Sequence, residues 1–152
     1  HFPEDHICST LFSESAGDIE IFDDQITALR QAEANIVKFK AICAEEGRDP
    51  DGMRFSVQMP LRLSDDKADV DNFINTTVET YTRGASHALS PLYDEVEDQV
   101  RDSAFWGSPE DIKEQVDRWT NAGVNHFILT TPRPFNAAMM ERFVRDVAPA
   151  FS

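Results

Sequence analysis

Residues 107–132, GSPEDIKEQVDRWTNAGVNHFILTTP, spell out a complete helix followed by a buried strand. Ser108 reads as the N-cap, Pro109 takes the first helical position, where its missing N–H costs nothing, and Asp111 stands where a capping-box acid belongs. Ile112, Val116, Trp119 and Ala122 recur at helical spacing as a buried stripe. Gly123 supplies the stop, in a left-handed conformation that only glycine adopts cheaply, and Val124 closes the accompanying hydrophobic contact. Phe127, Ile128 and Leu129 are then apolar on both faces of a strand, the pattern of a parallel strand covered by helices. Such a strand needs neighbours on its edges, so the rest of the chain must supply them or they must come from elsewhere.

Residues 1–24 show no sustained period and read as an irregular lead-in, opened by the end of a strand near Phe2. Leu29, Ala32, Ile36, Phe39 and Cys43 predict a helix over about residues 25–46, stopped by Gly47 and Pro50. Met53 to Leu63 alternates strictly, which predicts a strand with one apolar face and with Pro60 near its end, where no ladder donor is needed. Ser64, Asp65 and Asp66 form a cap and an acidic first turn for a helix whose face carries Val70, Phe73, Ile74, Thr77, Val78 and Tyr81 as far as Gly84. An excursion over 85–106 holds a short acidic helix at about 91–101 and a short buried strand at Phe105 and Trp106. A last helix from about Asn136 carries Met139, Met140, Phe143, Val144 and Val147 up to Pro149.

Helix, strand, helix, excursion, helix, strand, helix is the rhythm of an α/β protein with parallel strands and right-handed crossovers. One domain over 1–152 divides into 1–24, 25–84, 85–106 and 107–150. Only two strands are strongly written, with weaker ones near Phe2 and Phe105, and that is too few for a free-standing parallel sheet. The chain therefore reads as part of a larger sheet, and the absence of a starting methionine before His1 adds the expectation of an upstream half with further strand–helix repeats.

Charge narrows the partners. Fourteen Lys and Arg against 28 Asp and Glu give a net charge of −14, which repels phosphate backbones and anionic lipid, so neither nucleic acid nor a membrane surface is expected. Lysine is confined to Lys38, Lys40, Lys67 and Lys113, and Asp outnumbers Glu, a bias that fits both a high-salt habitat and an ordinary acidic protein. Cys8 and Cys43 lack metal or redox spacing, and Cys43 falls on a helix stripe, so core packing in a reducing cytoplasm is expected. No membrane-length apolar run, H-E-x-x-H, P-loop or G-x-S-x-G occurs, leaving no positive case for a metal, phosphoryl transfer or a serine nucleophile.

Three segments carry a family resemblance. WGSPEDI (106–112) through WTNAGVNHFIL (119–129) resembles the last helix–strand unit of the luciferase-like flavin and deazaflavin oxidoreductases, which are (β/α)8 barrels. MERFVRDVAP (140–149) is similar to their final helix, and AEEGRDP (44–50) with the strand after it is similar to the preceding helix–strand step. The resemblance implies the C-terminal half of a TIM-type barrel from the luciferase-like monooxygenase and deazaflavin-dependent group, the deazaflavin branch being nearest. It implies FMN or a deazaflavin coenzyme, a small-molecule substrate, and an N-terminal half, in the same precursor or as a separate chain, that brings the usual catalytic side chains.

In a barrel, functional residues lie at the C-terminal ends of the strands. Thr130, Thr131 and Arg133 follow the last strand, where hydroxyls and a guanidinium suit a phosphate or polar substrate tail; a hydrated, capping loop is the plain alternative. Gln58 and Arg62, on the polar face of the Met53–Leu63 strand, would enter the barrel lumen as binding groups or as an inert polar layer. Arg101 stands near where the sugar-phosphate branch places an anion-binding residue, or else on a solvated surface. His126 enters its strand at the N-terminal rim and reads as structural, while His1 and His6 reach the mouth only if His1 and Phe2 end a strand. The Ser108 helix start is explained by capping alone.

Three readings follow. The first is an oxidoreductase half-barrel, active only when completed. The second is a non-catalytic half-barrel that associates with itself or another protein, and the third is an ordinary small α/β domain.

Overall fold

The alternating stretch organises the molecule. The computed structural model describes residues 28–83 and 91–152, together with the backbone of residues 10–12 and 18–21. Its elements, in chain order, are β1 (Thr10–Phe12), β2 (Asp18–Ile21), α1 (Leu29–Glu45), β3 (Arg54–Leu63), α2 (Lys67–Arg83), α3 (Val96–Arg101), β4 (Phe105–Gly107), α4 (Pro109–Asn121), β5 (His126–Thr130) and α5 (Ala137–Asp146), with a closing 3-10 turn at Ala148–Phe151. β3 is the axis of the sheet. β2 pairs parallel with Arg54–Ser56, β5 with Ser56–Pro60 and β4 with Leu61–Leu63. Ser56 has both Glu20 and His126 as partners, so β2 and β5 lie on opposite edges of β3. β1 adds antiparallel to β2.

The two faces of β3 differ as its alternation requires. Phe55, Val57, Met59, Leu61 and Leu63 are all buried, packed against Ala32 and Ile36 of α1, Ile112, Val116 and Trp119 of α4, and Met139 of α5. At roughly 1.5–3 kcal/mol for each fully buried side chain, this row outweighs any polar contact in the chain. On the other face Arg54 and Gln58 are exposed, Arg62 is half-buried, and Ser56 is held through its hydroxyl to His126 Nδ1 at 2.8 Å. A smaller core joins Val70, Ile74 and Tyr81 of α2 to Val100 of α3, with Trp106 against it.

Several expectations are corrected. The lead-in over 1–24 contains β1 and β2, at three and four residues too short for a periodic signal to register. The strand near Phe2, and with it His1, His6 and Cys8, lies outside the described residues. α1 begins at Leu29 rather than near residue 25, and the acidic helix covers 96–101, because residues 91–95 form turns. Ala122 is half-buried, and Val144 is 62% exposed because, five residues on from Met139, it has turned to the opposite flank of α5. Ile128 is 38% exposed, so the strand expected to be covered on both faces is open on one.

α1 has no local N-cap: Ala28 offers no side-chain acceptor for the first free N–H groups. They are satisfied from the excursion instead. Leu29 N donates to Asp102 O and Arg30 N to the Tyr93 hydroxyl, each at 3.0 Å. That hydroxyl donates in turn to Asp102 Oδ2 at 3.0 Å, and Arg118 of α4 holds Asp102 Oδ1 at 2.8 Å. The Arg30 guanidinium lies 4.8 Å over the Tyr93 ring and bonds Leu92 O. Burial above all, with the Asp102 carboxylate adding to it, holds the Tyr93 phenol proton well past the usual tyrosine range, against the opposing hydrogen bond from Arg30.

Tyr93→Phe removes the acceptor of a part-buried N–H and a donor to a carboxylate oxygen and is expected to cost about 1–3 kcal/mol in denaturant unfolding. A raised folded pKa means that the stabilising contribution is complete below the unfolded tyrosine value of about 10 and is lost as pH rises toward the folded one. The wild type should lose stability above about pH 10, and Tyr93→Phe should flatten that alkaline slope; equal slopes for the two proteins would contradict the assignment.

Candidate functional site

The C-terminal ends of β3 and β4 open into one cleft. Ser64 and Asp65 follow β3, Gly107 and Ser108 close β4, and the first turns of α2 and α4 complete the walls with Lys67, Val70, Asp71 and Asp111. Arg101 and Trp106 form the remaining side of a space of about 460 Å³. The sequence dictates this meeting, since each strand runs directly into a helix start. Ser108 Oγ accepts from Asp111 N at 3.3 Å, and Asp111 Oδ2 accepts from Ser108 N at 2.8 Å, the reciprocal capping box expected from the sequence. Gly107 makes the corner: its φ is +107°, and a Cβ there would meet Asp111 Oδ2 at 2.6 Å.

The charged walls are already partnered. Arg101 is held by Glu97 at 2.7 Å and stacks with its guanidinium 5.0 Å from the centre of the Trp106 ring, whose Nε1 donates to Arg101 O at 2.9 Å. Lys67 pairs with Asp71, and Asp65 takes Arg142 of α5 at 2.6 Å. Arg101 therefore lines the strand-end cleft as a clamped wall.

The other expected residues lie apart from it. Arg62 is bound by both carboxylate oxygens of Asp69; that hydrogen-bonded pairing holds the Asp69 carboxyl below the usual carboxylate range and raises Arg62. Gln58 is exposed on the open sheet face, in register with Ile128 of β5. Thr130 ends β5 opposite Pro60, Thr131 is half-buried and Arg133 is exposed before a cis bond to Pro134. None of these five lines the cleft. Arg62, Thr130, Thr131 and Arg133 lie toward the same end of the sheet as the cleft, because β3, β4 and β5 run parallel, while Gln58 is in the middle of β3.

Sequence reading treated Ser64–Asp66 and Ser108 as separate caps and missed that both helix starts wall one cleft; the barrel rule for strand ends was the available signal. Gln115 was also missed. Three residues after Ile112 and four before Trp119, it is a polar residue on the buried stripe of α4, which is itself a signal. Its Oε1 accepts from Trp106 N at 3.0 Å and its Nε2 donates to Trp106 O at 2.8 Å. Among the described residues, no group of three or more His, Cys, Asp or Glu is placed to hold a metal ion, and no helix is long and apolar enough to cross a membrane.

Gly107→Ala should cost on the order of 1–3 kcal/mol, through both the left-handed corner and the crowded Asp111 cap. Thermal or denaturant melts check this, and a variant as stable as the wild type would mean that the corner carries no constraint.

No family model and no curated protein matches the chain by sequence. Solved structures do. It is similar to an F420-dependent secondary alcohol dehydrogenase in complex with an F420-acetone adduct, with a TM-score of 0.62 and 20% identity over 84% of this chain and 42% of that one. A coenzyme F420-dependent tetrahydromethanopterin reductase from Methanopyrus kandleri gives a TM-score of 0.60 and 16% identity over 91% and 46% of the two chains. An EDTA monooxygenase from Chelativorans sp. BNC1 gives 0.57 and 14% over 88% and 39%. The chain thus spans less than half the length of these structures. Its fold is that of half a TIM-type barrel, α/β with parallel strands.

Proposed function

We propose that the chain is the C-terminal half of a luciferase-like flavin- or deazaflavin-dependent oxidoreductase and shares a cofactor and substrate site with an N-terminal half. The observation that carries this reading is the uncovered face of the β3–β5 pair, where Gln58 and Ile128 lie exposed in register. In a closed barrel that face is the lumen, and its upper end is where ligands bind. The names of the similar structures, which include F420-dependent and monooxygenase enzymes, support the same class.

The exposed residues fit such a group. Ile128 offers an apolar surface to the flat side of a ring system, and Gln58 offers an amide to its polar edge. Arg133 makes no ion pair among the described residues and, with the hydroxyls of Thr130 and Thr131, suits a phosphate or a carboxylate-bearing tail. Arg62 and Arg101 are held by Asp69 and Glu97. A flavin or deazaflavin would supply the hydride chemistry; this half binds, orients and shields.

The test is spectroscopic. The chain purified with its completing half should carry flavin or deazaflavin absorbance, and Arg133→Ala should weaken retention by about tenfold, the scale of one charge-assisted contact. A colourless, concentration-dependent dimer that stays colourless with either coenzyme added would favour the non-catalytic assembly reading instead.

A further inference from the structure

We infer that α1 makes the fold sensitive to ionic strength: its last turn, and with it the first crossover onto β3, closes firmly only where salt screens the carboxylates gathered there. The inference stands on the charge pattern of the helices and does not rest on the oxidoreductase reading. A helix favours acids at its start and bases at its end, because the backbone dipole leaves partial positive charge at one and negative charge at the other. α2, α3 and α4 obey at both ends, with Asp69, with Glu97 and Asp98, and with Glu110 and Asp111 in their first turns, and with Arg83, Arg101 and Arg118 in their last. α5 ends on Arg145. α1 is inverted. It has no acid in its first turn, where Arg30 stands, and no base in its last, which runs out through Glu45 and Glu46.

Asp49 and Asp51 follow in the next loop, so Glu45, Glu46, Asp49 and Asp51 are exposed carboxylates at the negative end of α1. Among the described residues none of them has an ion-pair partner, although Arg48 stands between them in the chain. The backbone there is well closed. Glu46 N, Gly47 N and Arg48 N donate to Ile42 O, Ala44 O and Cys43 O, and Gly47 takes the left-handed φ of +66° that ends a helix. The defect is one of charge alone, and charge is what salt removes: the screening length falls from about 10 Å at 0.1 M to about 3 Å at 1 M. Its consequence reaches the core, since Cys43 in the last turn is buried and Ile36 of the same helix packs with the β3 row.

Cys43 is the reporter. In the chain carrying Cys8→Ser, its alkylation by neutral iodoacetamide should be about fivefold faster in 0.1 M than in 1 M KCl, and the melting temperature lower by about 5 °C. Glu45→Gln with Glu46→Gln should slow the labelling at 0.1 M and flatten both salt responses. Glu114→Gln with Asp117→Asn, the same change in charge on the exposed middle of α4, should leave both responses in place. A wild type indifferent to salt overturns the inference. An α4 variant that flattens the responses as fully as the α1 variant would assign them to the net charge of −14 as a whole and overturn the role of α1.

Discussion

Backbone pairing along β3 is the interaction on which the rest depends. Three other strands, β2, β4 and β5, meet this one segment, and none of them pairs with another of the three. In a closed barrel, strand neighbours follow chain order. Here β4 is too short to separate β3 from β5, which pair directly along five residues. The odd-numbered face of β3 then recruits α1, α4 and α5 by burial, and that one-sided recruitment leaves the opposite face bare. Site and fold share a cause, since the row of alternate residues that does not enter the core is the row that carries Gln58 and Arg62.

Much of this was legible because local rules and global packing agree. The strand from Met53 to Leu63, the capping box at Ser108 and Asp111, the positive φ of Gly123 and the cap at Asn136 all follow from short-range chemistry, and all are present. What escaped were features whose cause is distant in sequence. β2 is four residues long and is defined by its pairing with β3 and with β1. The partner of Gln115 is a backbone nine residues away, on a strand of only three residues.

The site was read less completely than the fold, again for a physical reason. Arg62 and Arg101 were singled out for their charge, and both are clamped by carboxylates, Asp69 seven residues ahead and Glu97 one helical turn back. Charge is visible in a sequence; the neutralising geometry is not. Thr130, Thr131 and Arg133 sit at the strand end expected of them, yet outside the cleft between α2 and α4, because that cleft is made where β3 and β4 end. The mouth of this half-barrel is therefore two adjoining surfaces, one walled and internally neutralised, the other open.

The borrowed capping of α1 bears on the order of events during synthesis. Arg30 waits for a hydroxyl 63 residues further along, and Leu29 for a carbonyl later still. When α1 leaves the ribosome, its leading turn holds two idle amides, and fraying at that end is the cheaper state. Only after the excursion has emerged does the helix gain a firm start, which couples the maturation of the first crossover to the arrival of the third quarter of the chain.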